Sequence, residues 1–180
     1  MIFWIVVSVL LAFLLGLIFK GNFKKMANFR LRFWGLVFVA LLIQIVIFWD
    51  FLKLSLGWLA ILYFLSLLLL LLFTLLNVKV PGMVIIILGV FLNLLVIAFN
   101  GGFMPADPQS YLEAGRIESV KTLQDVGYLN NVKAAGNDTR LNFLGDWIVL
   151  PQPFFPNAVV SLGDLILLLG LFYLILRILL

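Results

Sequence analysis

Two residue types are missing from this 180-residue chain, which contains no cysteine and no histidine. The chain can therefore form no disulfide, no thiolate or imidazole metal site, and no catalytic site that uses either side chain. Charge is also scarce, since 11% of the residues are charged, against about a quarter in soluble domains. Hydrophobic residues make up 65% of the chain. This balance excludes an ordinary water-soluble domain and predicts an integral membrane protein.

The hydrophobic residues fall into five long runs, and none of these runs carries a charge at its centre. A helix needs about 20 mostly apolar residues to cross a bilayer core about 30 Å thick. The runs lack the alternating pattern of barrel strands. The sequence predicts an all-α integral membrane protein, a single membrane domain over residues 1–180. Its five transmembrane helices are expected at about residues 2–19, 33–49, 57–76, 83–99 and 162–180.

The distribution of charge predicts the orientation of these helices. Basic residues without any carboxylate occupy residues 20–32, Lys79 and Arg177, whereas all eight acidic residues fall on the other side. Lys and Arg are retained on the cytoplasmic side of a membrane. We therefore expect the N-terminus and residues 100–160 outside and the C-terminus in the cytoplasm. Because no basic residue precedes the first run, a retained helix is expected rather than a cleaved signal peptide. The basic loop is expected to contact lipid headgroups rather than nucleic acid.

Residues 100–160 are the one long polar stretch, and we expect them to form a small, mostly irregular extracytoplasmic cap. Asp107 followed by Pro108 predicts a short helix over about residues 108–114. A second short helix is expected over about residues 120–126, with Ser119 as its N-cap.

The end of the cap is apolar but contains three prolines, which forbid a regular helix. We expect residues 141–160 to be extended or hairpin-like and to lie over the outer mouth of the bundle. The alternative is a sixth membrane crossing. The prolines are Pro151, Pro153 and Pro156, and the expected anchors are Trp147, Phe154 and Phe155.

Ser161 and Asp164 open the last helix in the spacing of a capping box, with Asp replacing the usual Glu. The partial positive charge of the helix N-terminus also stabilises an acid there. A structural role therefore explains Asp164. The functional alternative is a carboxylate at the membrane boundary that binds a cation or a polar headgroup.

Two amides inside the predicted spans lie at matching depth. Gln44 and Asn93 are each about 8–9 Å below the outer boundary, at a rise of 1.5 Å per residue. They are expected to bond to each other across the helices. The alternative is a small polar site that opens outward, with Asn100 and Asp164 at its rim.

Small residues at helical spacing mark the faces where helices can approach closely. Such steps occur in the first, fourth and fifth spans, at Ser8, Ala12 and Gly16, at Gly89 and Asn93, and at Gly163 and Gly170.

Several motifs recur together in one known family. They are Asn100-Gly101-Gly102-Phe103-Met104-Pro105, Leu144-Gly145-Asp146 with Pro151, and Ser161-Leu162-Gly163-Asp164. With the basic loop and the Asn in the fourth span, the chain resembles a family of small bacterial multi-pass membrane proteins of unknown function. The resemblance covers most of the chain and implies a bacterial inner membrane and a cap that belongs to the domain. It supplies no activity.

The sequence favours a non-enzymatic membrane protein, an accessory or scaffold subunit of a membrane complex. No ionisable group lies at the centre of a span, as proton relays and most ion-coupled carriers require. One alternative is outward-facing binding or passage of a lipophilic or small polar ligand. A second is an extracytoplasmic enzyme that uses Asp146 and Asp164 as an acid/base or metal-binding pair.

No catalytic residue, metal site or cofactor is expected for the favoured hypothesis. The expected partners are membrane lipids and other membrane subunits, without nucleic acid. The candidate ligand-binding residues are Gln44, Asn93, Asn100, Asp146, Trp147 and Asp164.

Overall fold

The computed structural model describes residues 2–48, 54–153 and 157–180. The fold is mostly helical, with five long apolar helices. Their bounds lie within two residues of those expected from hydropathy. They are α1 (Ile2–Ile18), α3 (Gly35–Phe48), α4 (Leu56–Leu76), α5 (Met83–Phe99) and α8 (Leu162–Leu179).

Two of these helices, α4 and α8, are long and apolar enough to cross a membrane by length and composition. They contain 21 and 18 residues respectively. The other three are shorter apolar helices of 14 to 17 residues.

The five helices pack in a spatial order that differs from their order along the chain. Helix α8 contacts α5 on one side and α1 on the other, while α4 contacts α5 and α3. Three of the glycines expected to mark helix contacts, Gly89, Gly163 and Gly170, lie at the α5–α8 contact. A Cβ on Gly89 would lie 2.7 Å from the Gly163 carbonyl oxygen, and one on Gly170 would lie 2.9 Å from the Ile86 nitrogen. These glycines let the two backbones approach closely.

The loop after α1 contains the short helix α2 (Phe23–Asn28), which contacts α8. The Asn22 side chain accepts a hydrogen bond from the Lys24 amide and so caps this helix. Asn77, just after α4, bonds both the amide and the carbonyl of Arg32, each at 2.9 Å. These bonds fix the loop at the helix ends far from residues 100–160.

Residues 100–160 are more regular than the mostly irregular cap expected from the sequence. Strands of two or three residues are too short to show a hydrophobic period, so the sequence pattern did not reveal them. They form a three-stranded sheet in the order β1-β3-β2, with β1 parallel to β3, and an antiparallel pair β4-β5. The strands are β1 (Met104–Ala106), β2 (Tyr128–Leu129), β3 (Val132–Ala134), β4 (Ile148–Leu150) and β5 (Ala158–Val160).

Two short helices complete the cap. Helix α6 (Pro108–Glu113) begins as predicted, because the Asp107 side chain accepts from the Ser110 amide at 3.0 Å. Helix α7 (Ile117–Val126) begins before the expected residue 120. Its N-cap position is Arg116 rather than Ser119, because Gly115, at φ +76°, has already turned the chain into the helix direction.

The cap and the helices share one hydrophobic core. Tyr63 of α4 and Ile97 of α5 belong to the same buried cluster as Met104, Tyr111 and Leu144 of the cap. We call the helix ends that meet this cluster the cap end. The cap therefore holds a fixed position over α4, α5 and α8, which is required for side chains from both parts to form one site.

Candidate functional site

Asp164 lies in the first turn of α8 at the cap end. The capping box predicted from the sequence is confirmed: the Asp164 amide donates to the Ser161 hydroxyl at 3.0 Å. In return, the Ser161 amide donates to Asp164 Oδ2 at 3.4 Å. This pair of bonds fixes the carboxylate against the start of the helix.

Asn93 of α5 holds the same carboxylate from the neighbouring helix. Its Nδ2 donates to Asp164 Oδ1 at 2.9 Å, and its Oδ1 accepts from the Ser161 hydroxyl at 2.9 Å. The Asn93 and Ser161 side chains are 4% and 0% exposed, so both ends of the amide are satisfied inside the protein. The close α5–α8 contact makes this bridge possible.

Asp146 comes from the cap and is positioned by its backbone. Its amide donates to the Pro105 carbonyl at 2.8 Å, and its carbonyl accepts from the Asp107 amide at 2.9 Å. The residue before it must be glycine, because a Cβ on Gly145 would lie 2.3 Å from the Pro105 oxygen. A parallel bridge to Ala106 continues this pairing.

The fold brings Asp146 and Asp164 together. Strands β4 and β5 pair with Ile148 opposite Val160. Asp146 lies two residues before Ile148, and α8 begins two residues after Val160. The two carboxyl groups interact electrostatically. Burial raises the pKa of Asp146 well above its usual range, and the negative charge of Asp164 raises it further. Both side chains nevertheless keep part of their surface exposed.

Two buried tyrosines complete this cluster, which we call the carboxylate pair site: Asp146, Asp164, Asn93, Tyr63 and Tyr111. The tyrosines are each 8% exposed. Burial raises the pKa of Tyr111; the charge of Asp146 adds to this increase, and that of Arg116 opposes it. The Tyr63 hydroxyl lies beside the Asn131 side chain and near both carboxylates.

Among the described residues, the buried side-chain polar atom without a hydrogen-bond partner is Trp4 Nε1, which lies outside this site. Sequence reasoning did not select Tyr111, because no pattern in the sequence places α6 against β4, which follows Asp146. Tyr63 had a weak signal, since a phenol within an apolar helix needs a polar partner.

The other candidate residues lie elsewhere. The Gln44 amide donates to the Ser66 hydroxyl of α4 at 3.3 Å, so the expected Gln44–Asn93 bond is wrong: each amide has a nearer partner. Asn100 fixes the cap, because its side chain bonds both the amide and the carbonyl of Arg140 at 2.8 Å.

Trp147 is 44% exposed and donates to the Phe143 carbonyl at 2.8 Å. It lines an open groove of about 570 Å³ on the cap surface with Asp107, Asn142 and Phe143. The hairpin expected near Trp147 is confirmed by the β4–β5 pairing. Two other expected anchors, Phe154 and Phe155, lie outside the described residues.

A family of unknown function, DUF5317, matches residues 28–176 of the chain. The chain belongs to this family. The match includes Asn93, Asp146 and Asp164, and confirms the resemblance to a family without a known activity. No curated protein and no solved structure matches the chain.

Proposed function

We propose that the chain is a multi-pass protein of a bacterial inner membrane, with five membrane-spanning helices and an extracytoplasmic cap. The helices expose many large apolar side chains, including Leu10, Leu14, Phe38 and Leu42. A helix of 17 residues is about 25 Å long at 1.5 Å per residue, and a shorter span can be accommodated by local thinning of the bilayer. The basic residues of the α1–α3 loop, Lys79 and Arg177 lie at the helix ends away from the cap.

Labelling of single cysteines tests this orientation without background, because the natural chain has no cysteine. In intact cells, we expect a membrane-impermeant maleimide to label Asp138→Cys in the cap. We expect it to label Lys24→Cys only after the membrane is permeabilised. Labelling in the reverse order would overturn the proposed orientation.

For function, the geometry favours outward-facing binding of a small polar ligand at the carboxylate pair site. The observation that carries this proposal is that Asp146, on the cap, and Asp164, at the start of α8, are close enough for their charges to interact. Two like charges in a partly buried place destabilise the fold unless something neutralises them. Such perturbed groups cluster at functional sites.

Chemical modification at Asp146 tests whether this site opens outward. Asp146→Cys should react faster with a cationic than with an anionic methanethiosulfonate reagent, because the charge of Asp164 remains beside it. Asn137→Cys is the matched control, since this cap residue is exposed and should react readily with both reagents. A reactive Asn137→Cys beside an inert Asp146→Cys would contradict an outward-opening site.

The accessory-subunit hypothesis remains the competing proposal, and the apolar surface of α1 and α3 supports it. Native mass spectrometry after extraction in mild detergent would separate the two. Reproducible co-purification of a stoichiometric membrane partner would favour the accessory role. A monomer under every condition would argue against it.

A further inference from the structure

The groove beside Trp147 lies on the cap surface and has a volume of about 570 Å³; we call it the cap groove. Its lining comes from the start of α6, the turn after β3 and residues 142–147, and no residue of the carboxylate pair site belongs to it. We propose that the cap groove binds a neutral saccharide, with the Phe143 and Trp147 rings against the sugar and the Asn142 amide on its hydroxyl groups. This site is separate from the one to which the proposed function belongs.

Two exposed aromatic rings are the first argument for a ligand. Phe143 and Trp147 both line the cap groove, and they are 62% and 44% exposed. Leu144 and Gly145, which lie between them in the chain, are buried. A volume of 570 Å³ falls within the range of about 300–1,000 Å³ that is typical of small-molecule sites, which are lined by aromatic side chains and a few polar groups. The rings therefore offer an apolar contact surface inside a space of ligand size.

The Trp147 ring is held in position without a ligand. Its Nε1 donates to the Phe143 carbonyl at 2.8 Å, so the one polar atom of the indole is satisfied within the protein. The Ser110 hydroxyl lies within hydrogen-bonding distance of the Trp147 carbonyl, at 2.8 Å, and of Asp107 Oδ2, at 2.6 Å. Ser110 thereby connects two of the lining residues. A prearranged site loses less conformational entropy when its ligand binds.

Amide side chains supply the polar contacts that sugar hydroxyl groups need. Asn137 and Asn142 line the cap groove, and both are exposed. A side-chain amide carries two N–H donors and one acceptor oxygen. Asn142 donates to the Gly136 carbonyl at 3.3 Å, which orients the amide. An amide with one such bond can still bond a ligand hydroxyl group as donor and as acceptor.

The charge of the lining selects a neutral ligand. Asp107 is the one charged residue among the described residues that line the cap groove, and its carboxylate accepts from the Ser110 amide at the start of α6. Without a basic residue, this lining disfavours phosphate and carboxylate ligands, which bind best through charge-assisted hydrogen bonds.

The mixture of rings and amides then distinguishes a sugar from a lipid chain. A lipid chain would cover the amides of Asn137 and Asn142 without bonding them, which is costly. A saccharide suits both kinds of side chain, because a sugar ring presents C–H groups on its faces and hydroxyl groups around its edge. Phe143 and Trp147 can contact the faces while the amides bond the edge.

A glycan array probed with the full-length protein tests the proposal. The protein is kept in an amine-oxide detergent, because the headgroup of a maltoside detergent is itself a sugar and would compete. We expect binding to at least one neutral glycan. Trp147→Ala should weaken that binding about tenfold or more, as truncation of a central aromatic contact does. Trp58→Ala is the matched control and should leave binding unchanged, because Trp58 is 59% exposed on α4 and does not line the cap groove.

Asn142→Ala is a second variant, which removes an amide from the lining and keeps both rings. It should weaken binding to the same glycan, and its melting temperature shows whether it is folded. If Trp147→Ala does not fold, Asn142→Ala decides the test.

Three results would overturn the saccharide proposal. They are a natural protein that binds no neutral glycan, binding that folded Trp147→Ala leaves unchanged, and equal losses for Trp147→Ala and Trp58→Ala. An array on which only anionic glycans bind would also contradict it. The function proposed for the carboxylate pair site has its own test in the reactivity of Asp146→Cys, so the failure of one proposal leaves the other standing.

Discussion

Asn93 of α5 donates a hydrogen bond to Asp164 Oδ1 of α8 at 2.9 Å, and its carbonyl oxygen accepts from Ser161. One neutral side chain thereby fixes two helices and one carboxylate. The capping box alone would stabilise the helix start. The additional bond from α5 sets the position of the carboxylate relative to the cap, so the helix contact and the candidate site depend on the same amide.

Replacing this amide should weaken the helix contact. Asn93→Leu keeps a similar volume but leaves the Ser161 hydroxyl without its acceptor and removes a donor to Asp164. We expect a loss of about 1–3 kcal/mol, typical of unsatisfied buried polar groups. Thermal unfolding in detergent, followed by tryptophan fluorescence, measures it. Asn137→Leu, at an exposed position, should cause little change. Equal melting temperatures for the two variants would contradict a structural role for Asn93.

The pKa of Asp146 predicts a specific pH dependence of stability. The folded protein binds a proton more tightly than the unfolded chain, in which the pKa is about 3.9. Stability should therefore fall as the pH rises from about 4 to the raised folded pKa, and then level off. Asp146→Asn should reduce this fall and raise the melting temperature at pH 7. The difference between the natural protein and Asp146→Asn is the quantity to compare.

Alanine substitutions at two helical glycines should have opposite effects. A Cβ on Gly163 would lie 2.0 Å from Asn93 Oδ1, whereas one on Gly57 would have no neighbour within 4 Å. We expect Gly163→Ala to destabilise by about 1–3 kcal/mol through overpacking. Gly57→Ala should be neutral or stabilising by up to about 1 kcal/mol, because alanine favours helices. The free energy of unfolding in detergent measures both effects. Equal values for Gly163→Ala and Gly57→Ala would contradict the α5–α8 packing.

Loss of the Asn100 side chain should loosen the cap without unfolding the helices. Asn100→Ala removes two hydrogen bonds to Arg140 and one to Val96. We expect faster amide hydrogen exchange around residues 136–144, with exchange in α5 and α8 little changed. An unchanged exchange rate in that segment would show that other contacts hold the cap.

The long helices could be predicted because their signal is local. Each is a run of apolar residues, and the last one begins with its own cap, Ser161 and Asp164. The start of α6 at Asp107 could also be predicted, because its N-cap signal is local. The start of α7 was not predicted correctly, because Ser119 has the chemistry of an N-cap, whereas the turn at Gly115 starts the helix three residues earlier than expected.

The candidate site could be predicted only in part. The sequence selected Asn93, Asp146 and Asp164 but gave no reason to join them. The sequence analysis paired Asn93 with Gln44 because of their matching depth. That pairing was wrong because depth in the membrane carries no information about which helices are neighbours. Because of the order in which the helices pack, Gln44 bonds to Ser66 and Asn93 bonds to Asp164.

The sequence by itself determined the composition-driven features: apolar helices and their bounds, the caps that start them, and the absence of histidine and cysteine. Tertiary structure alone decided that Asp146, Asp164 and Tyr111 lie close enough at the cap end for their charges to interact. The physical reason is range. Hydrophobic runs and helix caps involve residues within a few positions of one another, whereas the meeting of two carboxylates depends on short strands, a glycine contact and a shared core that form only when the whole chain folds.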